Sequence, residues 1–282
     1  MLHSGPLVVS VFLGQQDGLF KKKIDSNVPT TTGFLASGDF DSDGVLDLAS
    51  VVSYADPPFS DPGISISLGN GDGTFRSARF LPTGGYPRTL IVKDLNGDDL
   101  DDLTVPGTGL DEVSVLYGRG NGSFDLPMRI HVGVDPISVV AVDVNGDGHM
   151  DLAVVSDVSE DVSILLGAGD GTFEAGETIP VGHHPWGIAA GDFDEDGRID
   201  LVVSRVGDSY DQIPDSVTLL LGRGDGSFGQ QTDYQVGSVP YLLTVADVNA
   251  DGHQDLITGN ASTSDLSVLF GTGHGTFSRE AR

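Results

Sequence analysis

Short apolar runs alternate along the chain with clusters of Gly, Asp, Asn and Pro. Between residues 186 and 237 the runs read "WGIAAGDF", "DLVVS", "SVTLLLG" and "TDYQVG". Runs of this length, rich in β-branched and aliphatic residues and bounded by turn formers, predict β-strands. The first two are joined by "DEDGRI" and the last two by "GRGDGSF". In the second link, Asp-Gly suits a tight hairpin turn that needs positive φ. No apolar run approaches the ~18 residues of a membrane span. The stretch "LVVSVFLG" at 7–14 lacks the basic flank and cleavage site of a signal peptide. It aligns with "DVSILLG" and "DLSVLFG" and reads as a strand.

This four-run order recurs. An acidic segment begins at Asp39, Asp94, Asp143, Asp192 and Asp247, at steps of 55, 49, 49 and 55 residues. A second marker, the Gly of "LGxGDGTF"-like segments, falls at Gly14, Gly69, Gly118, Gly167, Gly222 and Gly271. Periods of this size signal a propeller, solenoid or array. Four short antiparallel strands per unit predict an all-β chain, a β-propeller of four-stranded blades. A parallel β-helix uses much shorter repeats. Residues 29–83, 84–132, 133–181, 182–236 and 237–282 are the expected blades, the last short of its fourth strand. Residues 1–29 supply strands three and four of a partial blade, or residues 20–30 lend the last blade its outer strand, giving about 21 strands in all. Phe20, Phe75, Phe124, Phe173, Phe228 and Phe277 follow the hairpin turns and are the expected core plugs.

The acidic segments carry the chemistry. Oxygen side chains at loop positions 1, 3, 5 and 9, with a turning glycine at 6, follow the logic of a Ca²⁺ loop. The expected ligands are Asp39, Asp41, Asp43 and Asp47 in the first loop and Asp94, Asn96, Asp98 and Asp102 in the second. The third uses Asp143, Asn145, Asp147 and Asp151, the fourth Asp192, Asp194, Asp196 and Asp200, and the fifth Asp247, Asn249, Asp251 and Asp255. Asp99 stands where the second loop should have its glycine, which makes that loop the irregular one. Two carboxylates ~4 Å apart repel by about 4 kcal/mol at an effective dielectric of 20, so acidic turns without a cation should open. The expectation is about five Ca²⁺, one in each loop, acting as staples between strands one and two.

The acidic loops, the "DLAVV" strands and the "SVLLGxGDGTF" pattern closely resemble FG-GAP/VCBS repeat proteins, whose blades are like those of the integrin α-subunit propeller. The resemblance covers nearly the whole chain. It implies extracellular adhesion or recognition and a ring usually of seven blades, of which this sequence would be a fragment. The formal charge of −28 disfavours nucleic acid and anionic membrane surfaces and favours cations. With no cysteine there is no disulfide or thiolate chemistry.

The opposite ends of the blades vary. The two 55-residue units carry extra residues in "SYADPPFSDPG" (53–63) and "SRVGDSYDQIPDS" (204–216). Links between blades end in "GGYPR", "GVDPI", "GHHPW" and "GSVPY", bringing Tyr86, Arg88, Asp135, His183, His184, Trp186 and Tyr241 to that side. Aromatic and mixed polar residues suit a carbohydrate or an extracellular protein, unless Trp186 and Tyr241 serve as packing between blades. The expected function is therefore a non-enzymatic, calcium-binding recognition module at the cell surface or outside the cell. The alternatives are a calcium-dependent polysaccharide lyase or hydrolase using His184, Tyr241 and Arg88, and a structural segment of a larger surface protein. The "RGD" at Arg223–Asp225 occupies a hairpin position that reads "NGD" or "AGD" elsewhere, and is not expected to mediate adhesion. Asn121 and Asn260 lie in glycosylation sequons. Lys21–Lys23 read as edge protection.

Overall fold

The computed structural model describes residues 8–15, 17–20, 23–28, 34–52, 61–208 and 212–278. It forms two compact units, one of Met1–Asp94 and Asp98–Ile130, the other of Leu95–Gly97 and His131–Arg282. Among the described residues there is no helix, and so none long and apolar enough to cross a membrane.

In the first unit β1 (Val8–Val11) pairs with β2 (Ile24–Asn27). A four-stranded sheet follows, of β3 (Leu35–Gly38), β4 (Asp47–Val52), β5 (Gly63–Ser67) and β6 (Arg79–Pro82). The next is β7 (Ile91–Lys93), β8 (Asp102–Gly107), β9 (Glu112–Leu116) and β10 (Met128–His131). The second unit holds β11 (Pro136–Val142), β12 (Asp151–Ser156), β13 (Asp161–Gly167) and β14 (Phe173–Pro180) in one sheet. Another contains β15 (Pro185–Gly191), β16 (Asp200–Arg205), β17 (Ser216–Gly222) and β18 (Phe228–Gln235). The last contains β19 (Pro240–Ala246), β20 (Asp255–Asn260) and β21 (Asp265–Leu269). Strands neighbour one another in chain order and run antiparallel, so each sheet is a meander. These are the blades of a β-propeller, numbered one to five below in chain order.

The described residues contain 21 strands, in the places the turn signals predict. One detail differs from the sequence reading. Strand four of blades three and four begins at Phe173 and Phe228 themselves, because the chain leaves the hairpin already paired to Gly167 and Gly222. Ile24–Asn27 pairs with Val8–Val11. Residues 279–282, 53–60, 209–211 and Lys21–Lys22 lie outside the described residues.

In blades one to four the second and third strands are buried along most of their length, which explains their continuous apolar runs. Successive side chains of a strand point to opposite faces, and in β16 each face meets a different blade. Leu201 and Val203 join the cluster of Val155, Val162 and Ile164, whereas Val202 joins that of Val217, Leu256 and Leu269. In the first unit Ala49, Val51, Ile64 and Ile66 pack with Leu103, Val105 and Leu116. Fourth strands alternate exposed and half-buried residues.

Candidate metal centre

Each acidic loop links strand one to strand two of its blade and closes on itself through its own carboxylates. The position-1 aspartate accepts main-chain N–H groups from further round the turn. Asp39 takes Asp43 at 3.0 Å and Gly44 at 2.9 Å, and Asp192 takes Asp196 at 3.1 Å and Gly197 at 2.9 Å. Asp143 and Asp247 likewise accept Gly148 at 2.9 Å and Gly252 at 3.0 Å. The position-5 aspartate accepts the N–H of position 7 in all five loops, at 2.8 or 2.9 Å.

Position 6 is left-handed throughout, with Gly44 at φ 81°, Gly148 at 87°, Gly197 at 82° and Gly252 at 91°. Asp99 adopts the same conformation at φ 62°, so the second loop keeps the turn despite lacking glycine. Asp94 still accepts the Asp99 N–H at 2.9 Å. Sequence reasoning missed a second left-handed residue at position 4: Ser42, Gly97, Gly146, Glu195 and Ala250. The glycines of the two "NGD" loops were its signal.

Position 9 has a role beyond that of a ligand. Asp47, Asp102, Asp151, Asp200 and Asp255 are at most 1% exposed. One oxygen of each accepts the N–H of the glycine that ends strand three: Gly69, Gly118, Gly167, Gly222 or Gly271, at 2.7–2.9 Å. In the first, third, fourth and fifth loops the other oxygen accepts the N–H of position 2, from Phe40, Val144, Phe193 and Val248. The carboxylate thus clamps the acidic loop to the third strand. It also explains the repeated glycine, since a Cβ at Gly69, Gly118, Gly167, Gly222 or Gly271 would collide with the carbonyl of loop position 8. Gly14 has no acidic loop beside it, and a Cβ there meets nothing.

Burial sets the electrostatics. It pushes Asp200 up to about 6, against the lowering effect of the Gly222 and Phe193 N–H groups. Burial also raises Asp47 and Asp151, and raises Asp194 with help from the neighbouring Asp196 charge. Asp147 and Asp251 are held low, mainly by the N–H groups of His149 and His253 and then by the amides of Asn145 and Asn249.

The loops divide by the residue at position 3. Where it is Asp, carboxylate oxygens converge: Asp39, Asp41 and Asp43 in one loop and Asp192, Asp194 and Asp200 in another, each set within 4.8 Å. The buried Oδ1 of Asp41 has no hydrogen-bond partner. Where it is Asn, the amide donates to position 5, Asn145 to Asp147 at 2.9 Å and Asn249 to Asp251 at 2.8 Å. An all-oxygen donor set with an orphaned buried carboxylate oxygen fits a hard divalent cation such as Ca²⁺. Basic groups already sit beside the loops. Arg76 lies 3.3 Å from Asp41 and 3.6 Å from Asp43, Arg198 pairs with Asp196, and His253 lies 2.5 Å from Glu195 of the preceding loop.

The same loops lock blade to blade. The position-2 carbonyl of one blade accepts a hairpin glycine N–H of the next: Phe40 from Gly122 at 2.7 Å, Val144 from Gly226 at 3.3 Å, and Phe193 from Gly275 at 3.0 Å. The expected Phe plugs seal two of these joints, Phe124 edge-on to Phe40 and Phe277 edge-on to Phe193. Asp101 adds a bond from the second blade to the Asp39 N–H at 2.8 Å.

At the opposite ends of the blades the expected ligand residues separate. Tyr86 and Arg88 are exposed and lie in the first unit; His184, Trp186 and Tyr241 lie in the second. Trp186 packs on the core between blades three and four and stacks on Tyr241, ring centroids 4.4 Å apart. Tyr241 stays 40% exposed. His184 is left-handed at φ 40° and its Nδ1 lies 3.0 Å from Asp157, while His183 lies 3.7 Å from Glu160 and Asp135 is left-handed at φ 62°. Arg205, which the sequence did not single out, bridges the Val181 carbonyl, Ser216 and Asp233. Asn121 is exposed, whereas Asn260 is buried and its amide donates to Asp265 and Ser267.

Meandering four-stranded blades, each opened by the same nine-residue acidic loop, define a repeat-built β-propeller. A model of the FG-GAP-like repeat matches residues 94–154 and 143–203. Residues 94–203 therefore carry FG-GAP-like repeats, the sheets on either side repeat the same strands and acidic loop, and the fold is a β-propeller. No curated protein sequence matches it. Among solved structures it is similar to an Agrocybe aegerita lectin described as recognising non-reducing terminal N-acetylglucosamine. That likeness has 18% identity and a TM-score of 0.59, over 88% of this chain and 65% of the lectin. The chain thus spans slightly under two thirds of the lectin's length. The periplasmic gluconolactonase PpgL of Pseudomonas aeruginosa gives 13% identity and a TM-score of 0.70, over 97% of this chain and 76% of that one. A chain from the complex of BBS1N with ARL6DN gives 17% and 0.57, over 91% and 70%. At these identities the likeness shows the fold alone.

Proposed function

We propose that the chain is a calcium-stapled recognition module that works outside the cell and binds a carbohydrate or an extracellular protein through the varied ends of its blades. The observation that carries the calcium reading is the convergence of Asp39, Asp41 and Asp43, which includes a buried Asp41 oxygen without a partner, and the matching convergence of Asp192, Asp194 and Asp200 in blade four. Side chains at positions 1, 3, 5 and 9 of each loop would hold the ion. Bound calcium supplies the positive charge that lets these carboxylates lie together. The rest is done by the protein's own groups: position 9 fixes the loop to strand three, and position 2 fixes it to the next blade.

Recognition is assigned to the other ends because the exposed aromatic and histidine side chains there differ most from blade to blade. Tyr241 offers an exposed ring on a rigid stack and His184 an exposed imidazole, a pairing suited to a sugar face with its hydroxyls or to a protein partner. A lectin of the same fold, whose described ligand is a sugar, is consistent with this reading. A glycan array probed in calcium, with Tyr241→Ala and His184→Ala as controls, tests it. Binding that both variants abolish supports the assignment. Binding that survives both removes it.

A further inference from the structure

Blades three and five differ at one buried point on the side away from the acidic loops. In both, strand two ends and strand three begins around a four-residue turn, pairing Ser156 with Asp161 and Asn260 with Asp265. In blade five Asn260 Nδ2 donates to Asp265 Oδ1 and to Ser267 Oγ, each at 2.9 Å. Ser267 Oγ also accepts the Gly237 N–H at 2.9 Å. Blade three keeps the framework, with Ser163 Oγ accepting the Gly133 N–H at 3.2 Å and Ser159 Oγ accepting that of Val134 at 2.9 Å. The asparagine, however, is replaced by Ser156, which is shorter.

The consequence is two orphaned oxygens. Ser156 is fully buried and its Oγ has no hydrogen-bond partner within the protein, and the same holds for the buried Oδ1 of Asp161. Both converge with Ser159 Oγ on the place a Cβ at Gly133 would take, as Asn260 Nδ2 does at Gly237 in blade five. Burying two such groups unsatisfied is costly.

We propose that blade three binds a structural water where blade five has the Asn260 amide nitrogen. The valences match. An amide NH₂ brings two donors, and a water brings two donors and can accept as well. The water donates to Asp161 Oδ1 and Ser163 Oγ and accepts from the Ser156 hydroxyl. Three bonds are the usual complement of a buried water. The site also accounts for Gly133, since any side chain there would collide with the converging oxygens.

The test is a high-resolution crystal structure of the whole chain, followed by two reciprocal variants. The wild type should show a water bonded to Asp161 and Ser156. Ser156→Asn should displace it with a direct amide–carboxylate bond and raise the melting temperature by about 2–4 °C. Asn260→Ser should lower it by a similar amount and gain a water in blade five. A site without solvent in the wild-type crystal overturns the proposal, whether or not the variants fold. So does a melting temperature that changes when sodium is replaced by choline, together with short metal–oxygen distances, because the ligand would then be a cation.

Discussion

The two ends of each blade follow opposite rules. At the acidic end, five loops share the position-5 bond to position 7, the left-handed residue at position 6 and the buried aspartate at position 9. The residue varies there at position 3, as Asp or Asn, at position 4, at Asp99 and at the basic neighbours, while the backbone pattern stays the same. At the opposite end blades three and five share a turn, but the exposed residues differ from blade to blade. One link carries the pair His183–His184 and is braced by Arg205, another is stacked through Tyr241, and the turns of blades three and five differ by Ser156 against Asn260. Repetition to the level of single hydrogen bonds marks parts that hold the fold. Under the proposed function, the end that varies is the one assigned to recognition.

The sharpest way to break this contrast is to cut the same residue type at both ends. Asp200→Ala leaves the buried N–H groups of Phe193 and Gly222 without an acceptor, and should cost about 2–4 kcal/mol. Asp157→Ala removes only a partner of an exposed histidine and should stay within about 0.5 kcal/mol. Chemical denaturation of both would show equal losses if the acidic end were not the structural one.

Next in size is the calcium-dependent share. Asp192→Asn with Asp196→Asn should lower stability by about 2.7 kcal/mol when calcium is at 100 times the dissociation constant. In chelator the variant and the wild type should melt together. A difference that persists without calcium would assign the loss to the turn itself.

A smaller effect is expected from relieving the second loop. Asp99 is held at φ 62°, and Asp99→Gly should add about 1 kcal/mol by removing the left-handed penalty. Thermal melting that moves downward would mean that the Asp99 side chain contributes more than its backbone conformation costs. Smallest are the changes at the varied end. Tyr241→Ala should cost about 1 kcal/mol by losing the Trp186 stack, and His184→Ala about 0.5 kcal/mol or less. Each should nonetheless abolish ligand binding in a direct binding assay.

Strands and turns were legible because they depend on local signals: apolar runs, Asp-Gly hairpins and a fixed period. The position-1 and position-5 aspartates were legible for the same reason, since their partners lie within the loop. What could not be read depends on other strands and blades. Asp47 and its equivalents look like ordinary loop ligands until Gly69 arrives from strand three to take one oxygen. Asp101 looks like a spare acid until the Asp39 N–H is found beside it. Trp186 reads as a ligand-binding aromatic, yet it packs on the core between blades three and four and stacks on the Tyr241 ring. Asn260 reads as a sequon but is buried, with its nitrogen bonded to Asp265 and Ser267.

Calcium titration calorimetry, paired with thermal melting in calcium, magnesium and chelator, tests the central claim most directly. Each loop should take up calcium, with weak affinities of about 10⁻⁴–10⁻³ M sufficient for a module outside the cell. Chelation should lower the melting temperature sharply, and calcium should restore it better than magnesium, whose strict octahedral geometry suits these loops poorly. No measurable uptake, together with a melting curve unmoved by chelator, would contradict the account.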